Sequence, residues 1–223
     1  MNGIMPPRIL ISTALIALVF NGIASSHAHA EVITFDGDLT LGPDNVVEIR
    51  IGGNIAGTEH DFIVVTGHAD LAGTLSLFQI NGFNPDFGDT FQIMTFGSRN
   101  GAFDRVVKMF ELDGFAFAPL YSAVDLTLFG ALPGDGNLDG IVNFNDFVII
   151  TDNFSISQPS WTQGDYNSDG VVNFEDFVVL SNHYELAVLT SAAIPEPSMI
   201  ALAGLGLLCM KWVNASGARP GKD

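Results

Sequence analysis

"DGNLDGIVNFND", residues 135–146, returns thirty residues later as "DYNSDGVVNFED", residues 165–176. Between residues 134–154 and 164–184, eleven of 21 aligned positions are identical, Gly134 with Gly164, Phe144 with Phe174 and Phe147 with Phe177 among them. Aspartates at this density repel one another unless something positive sits among them. An isolated Asp-Gly or Asn-rich stretch reads as a turn. Two copies in one register ask for more.

The spacing supplies it. Oxygen donors at loop positions 1, 3 and 5 curl around a hard cation, glycine at 6 permits a sharp turn, position 7 offers its backbone carbonyl, and a carboxylate at 12 closes the far side. The first loop then holds one calcium ion through Asp135, Asn137, Asp139, the Ile141 carbonyl, Asn143 and Asp146. The second holds another through Asp165, Asn167, Asp169, the Val171 carbonyl, Asn173 and Asp176. Both loops carry Asp at position 12 where the usual EF-hand has Glu, so the following helix must be drawn closer. Gly140 and Gly170 stand at the turn position.

Working outward, "DFVIITDNF" and "DFVVLSNHY" set Phe147, Ile150 and Phe154, and Phe177, Leu180 and Tyr184, at helical spacing. A helix is expected after each loop and none before it, because "ALPG" ends a strand region and "SQPSWTQG" contains Pro159 and Gly164. Paired loops each followed by one helix resemble a type I dockerin, over residues 134–185. The resemblance implies two antiparallel helices ordered by two calcium ions, with a helical face that docks a cohesin domain. Trp161 and Tyr166 fit as packing residues. Loop positions 10 and 11, Phe144-Asn145 and Phe174-Glu175, depart from the Ser-Thr-like pairs of cellulosomal dockerins. Such aromatics are expected to pack inside the module or against the preceding region.

Residues 31–132 read as β throughout. "VVEIRI", "DFIVV", "GTLSLFQI", "DTFQIMTF" and "SAVDLTLF" are rich in β-branched and aromatic residues and are punctuated by Gly, Asn, Asp or Pro. The expected fold is a mainly β scaffold, sandwich or solenoid-like, followed by the small α module. The stretch from about residue 55 to 130 resembles the β region of many exported bacterial proteins with carboxyl-terminal sorting tails. His60 and His68 are its only histidines, and it contains no Gly-x-Ser-x-Gly turn and no cysteine. No catalytic residues and no organic cofactor are assigned. A carbohydrate-active enzyme or polysaccharide-binding domain with an appended dockerin is the alternative reading.

The two ends are addresses. Arg8, the apolar run Ile9 to Phe20 and the small-x-small "AHA" of residues 28–30 make a secretory signal peptide over residues 1–30, cut after Ala30. After a linker at 186–194, "PEPSMIALAGLGLLCMKW" begins a tail over residues 195–223. Pro195-Glu196-Pro197, an apolar helix and then Lys211, Arg219 and Lys222 resemble a PEP-CTERM sorting signal. The resemblance implies recognition and cleavage by an exosortase in the membrane, with the apolar segment as a transmembrane helix before processing; a lasting anchor is the other reading. Between Glu31 and Ile194 stand 23 acidic and four basic residues, a net charge of about -19. Nucleic acid is thereby excluded as a partner. Expected partners are a cohesin, the exosortase and an exopolysaccharide, and the expected place is the cell surface or extracellular matrix.

Overall fold

Alternate side chains of Val46–Ile51 are buried, Val47, Ile49 and Ile51 turning inward while Val46, Glu48 and Arg50 turn out. That period of two is what a half-buried strand requires. The computed structural model describes residues 29–188, and the expected signal peptide and apolar tail lie outside them. Nine strands run in chain order: β1 (Val32–Phe35), β2 (Leu39–Thr40), β3 (Val46–Ile51), β4 (Phe62–Leu71), β5 (Thr74–Gln79), β6 (Thr90–Gly101), β7 (Arg105–Lys108), β8 (Ala116–Tyr121) and β9 (Asp125–Ala131).

The chain alternates between two sheets. One has the order β1-β4-β6-β9-β8, with β2 also on β4; the other is β3-β5-β7. Through β7 every pairing is parallel, and each rung follows the last by about thirty residues. Val32 pairs with Phe62 and Ile63 with Met94, while Val46 pairs with Thr74 and Thr74 with Arg105. Of the two expected β architectures this is the solenoid-like one. Side chains of both sheets meet in one core, Ile49, Leu75 and Leu77 from one and Ile63, Val65, Phe91 and Ile93 from the other. The hairpin β8–β9 then turns antiparallel onto β6 and ends the stack. Pro119 is tolerated because β8 is an edge strand, where a missing N–H leaves no partner unmet.

A column of glycines lets the rungs approach. Gly67 donates its N–H to the Gly37 carbonyl at 2.8 Å. A Cβ on Gly67 would stand 2.6 Å from the Gly37 carbonyl carbon, and one on Gly97 would stand 3.0 Å from the Gly67 oxygen. Only a residue without a side chain fits between them.

After β9 come α1 (Phe144–Asp152), a short 3-10 turn (Trp161–Gln163) and α2 (Phe174–Asn182). Both helices stop two residues short of the last position in the apolar spacing. Asn153 and His183 leave helical geometry, and Ser155 and Glu185 adopt positive φ. Phe154 and Tyr184 therefore lie beyond the helices, exposed. Ala118, Ala131 and Leu132 of the β8–β9 end join Val142, Ile150, Trp161, Tyr166, Val172 and Leu180 in a second core. The loop-helix region thus borrows part of its core from the scaffold, and the described residues all belong to one compact unit. Among them no helix is long and apolar enough to cross a membrane.

Candidate functional site

The two acidic loops fold as copies, bond for bond. Asp135 accepts from the backbone N–H of Asp139 on Oδ1 at 3.1 Å and of Gly140 on Oδ2 at 2.9 Å. Asp165 accepts from Asp169 at 3.0 Å and Gly170 at 3.0 Å on the same atoms. Asp146 Oδ1 takes the Gly136 N–H at 2.9 Å and its Oδ2 the Asn143 N–H at 2.9 Å; Asp176 takes Tyr166 and Asn173 at 2.8 Å each. Asn137 and Asn167 reach Asp139 and Asp169 through Nδ2 at 2.9 Å. Gly140 and Gly170 adopt φ +83° and +86°, as the turn at position 6 requires. Leu138 and Ser168, at position 4, also have positive φ, a shared kink that composition does not announce.

Positions 9 and 12 do a second job. The Asn143 and Asn173 side chains cap α1 and α2 by accepting from Asn145 at 2.7 Å and Glu175 at 2.6 Å. Asp146 and Asp176, three residues on, close the capping box by accepting from the cap backbone. Each loop is therefore rigidly joined to its helix.

These carboxylates are held where water hardly reaches. Asp135, Asp146 and Asp176 are 0% exposed and Asp165 is 5% exposed. Burial, the main cause, pushes the Asp135 carboxyl up to about 6; backbone N–H groups of Gly140 and Asp139 oppose the rise, and the charges of Asp146 and Asp139 add to it. Asp165 is likewise pushed to about 6, chiefly by burial, with Asp176 and Asp169 as the charged neighbours. Burial also raises Asp176. Among the described residues none of these aspartates has an ion-pair partner, and no Lys or Arg occurs between Lys108 and Lys211.

The donor set is all oxygen, which suits a hard cation such as calcium. Among the described residues no three Asp, Glu, His or Cys side chains converge on one point. The carboxylate oxygens instead face backbone N–H groups. Of the expected donors, the side chains of Asn137 and Asp139, and of Asn167 and Asp169, are brought into direct contact.

Around the loops the packing is reciprocal. Gly134 lies against Leu180 of α2 and Gly164 against Ile150 of α1. Ile141 bridges Ala187 beyond α2, and Val171 bridges Ser157 beyond α1. Trp161 donates Nε1 to the Asp135 carbonyl at 2.7 Å, and the Tyr166 hydroxyl donates to the Asp146 carbonyl at 2.9 Å. Both aromatics are buried, tying the first loop to the linker and to the second loop.

Phe144 and Phe174 stand elsewhere than expected. They are 62% and 66% exposed, so neither packs into the module or the scaffold. Each leans on the next aromatic, Phe147 or Phe177, and those two meet edge to face at 5.8 Å across the helices. Phe147, Phe174 and Phe177 line, with Ile150, Thr151 and Phe154, an apolar groove of about 260 Å³. In the scaffold, His60 is buried between the Gly53 and Gln92 carbonyls at 3.0 and 3.1 Å. His68 bridges Ser98 at 2.7 Å and Asp70 at 3.4 Å, a row of neighbours on β4 and β6.

The family model of the PEP-CTERM protein-sorting motif matches residues 193–214. That motif is a sorting signal processed by an exosortase, and it marks the chain as an exported, surface-sorted protein. The match begins two residues before Pro195 and lies outside the described residues. No curated protein and no solved structure matches the chain.

Proposed function

We propose that residues 134–185 form a calcium-ordered, dockerin-like interaction module on a non-enzymatic β scaffold that is displayed at the cell surface. The observation that carries this reading is the pair of matching loops, each with two buried aspartates and, among the described residues, no ion-pair partner for them. Asp135, Asn137, Asp139, the Ile141 carbonyl, Asn143 and Asp146 would hold one ion. Asp165, Asn167, Asp169, the Val171 carbonyl, Asn173 and Asp176 would hold the second. Bound calcium supplies the positive charge that the loops lack and fixes the helices that start from them. The partner is a cohesin-like domain docking on the exposed helix faces, where Phe144 and Phe174 replace hydroxyl residues with apolar area. A non-enzymatic role is supported by the setting of Ser98, His68 and Asp70: a catalytic triad works with a buried aspartate, whereas the Asp70 side chain is 35% exposed. Helical circular dichroism and melting temperature, followed from chelator into millimolar calcium, should both rise. Asp135→Ala with Asp165→Ala should abolish both responses.

A second reading, polysaccharide binding by the scaffold, is favoured by an open cleft of about 420 Å³ between the ends of β6 and β8 and residues 158–163. Arg99, Gln158, Thr162 and Gln163 give it hydrogen-bonding groups, and Arg99 lies 4.9 Å over the Tyr121 ring. Calorimetry against neutral and acidic oligosaccharides tests it. Binding lost in Arg99→Gln supports the cleft, and turnover would favour an enzyme.

A further inference from the structure

Glu31 follows Ala30, the residue after which the signal peptide is expected to be cut. Its backbone nitrogen donates to Asp61 Oδ1 at 2.8 Å. Asp61 is fully buried, and it grips the Arg50 guanidinium at both ends, Nε on Oδ2 and Nη2 on Oδ1 at 2.9 Å each. The Arg50 backbone N–H adds a bond to Oδ2 at 2.8 Å. Arg50 Nη2 lies 3.5 Å from the Glu31 carboxylate. Glu31 itself is pinned: the Phe62 N–H donates to its carbonyl at 2.8 Å, and Val32 opens β1 in register with Phe62.

In the uncut chain the Glu31 nitrogen is a neutral amide. Asp61, Glu31 and Arg50 then sum to one unbalanced negative charge at a site that includes a buried carboxylate. Hydrolysis of the Ala30–Glu31 peptide bond adds one water: the Ala30 carbonyl carbon leaves as a carboxylate, and the Glu31 nitrogen becomes an α-ammonium. That cation arises where a carboxylate oxygen already accepts its hydrogen bond, and the four charges cancel. With both partners ionised, the bond gains the attraction of opposite charges that an amide N–H on the same carboxylate lacks.

We propose that the buried Asp61–Arg50 pair is the binding site for the α-ammonium released by cleavage after Ala30, so that removal of the signal peptide locks the first rung of the solenoid. This rests on export and not on the calcium loops. Three chains with the same carboxyl end are compared by thermal melting at one calcium concentration. One begins at Glu31 with a free amine, one carries Nα-acetyl-Glu31, which keeps the N–H but loses the charge, and one retains residues 28–30. The free-amine chain should melt about 2–4 °C above the other two, as a net gain near 1 kcal/mol gives in a chain of this size. In Asp61→Asn the gap should close. If that variant fails to fold, the acetylated chain still decides: equal melting of the acetylated and free-amine chains overturns the proposal. A first residue other than Glu31, found by amino-terminal sequencing of the exported protein, overturns it as well.

Discussion

Single residues set the register of this molecule where backbone meets backbone. Gly67 is one, because a methyl group there meets the backbone carbonyl of Gly37 in the rung below as well as the Asp38 carboxylate. Gly67→Ala should destabilise the protein by about 1–3 kcal/mol, the range for overpacked sites, read from denaturant melts with calcium held constant. Trp161 is another, since its indole N–H meets the Asp135 carbonyl in the first loop. Trp161→Phe keeps most of the apolar volume but leaves that buried carbonyl unmet, a loss of about 1–3 kcal/mol. If the loop is a metal site, the same change should weaken calcium at the first loop more than at the second.

At the scale of elements, each loop and its helix act as one piece because Asn143 with Asp146, and Asn173 with Asp176, serve both the turn and the helix start. The donor spacing was legible in the sequence, because it is a local property; that the same residues cap the helices came only from the structure. The exposure of Phe144 and Phe174 was not legible either, because helix direction depends on how β8–β9 seats the module. Their position makes a clear expectation. Phe144→Ser with Phe174→Ser should change stability by no more than about 0.5 kcal/mol, as exposed substitutions do. Binding of a partner to the helix faces should fall sharply in the same variant. Loss of stability with partner binding intact would place the aromatics in a core instead. The strands show the reverse case. Their windows were readable as β, yet parallel pairing across about thirty residues is a tertiary fact, hidden from any local pattern. Gly37, Gly67 and Gly97, spaced by thirty, were the trace of it in the sequence.

For the whole molecule, a three-rung scaffold, a loop-helix region sharing its core and a sorting motif define an exported protein whose charge is strongly negative. Intact mass of the mature protein from its native host should show loss of residues 1–30 and of the segment after Pro197. A species that retains Trp212 would mean a lasting anchor. The shared core around Ala118, Ala131 and Trp161 means that calcium should stabilise scaffold and module together. At calcium ten times the dissociation constant, two sites would add about 2.8 kcal/mol to the unfolding free energy. The most direct measurement is a calorimetric calcium titration of the chain from Glu31 onward after exhaustive chelation. The expected result is two ions bound per chain, one in Asp135→Ala, one in Asp165→Ala and none in the double variant. An absence of binding at millimolar calcium, or two ions still bound by the double variant, would contradict the calcium reading of the loops.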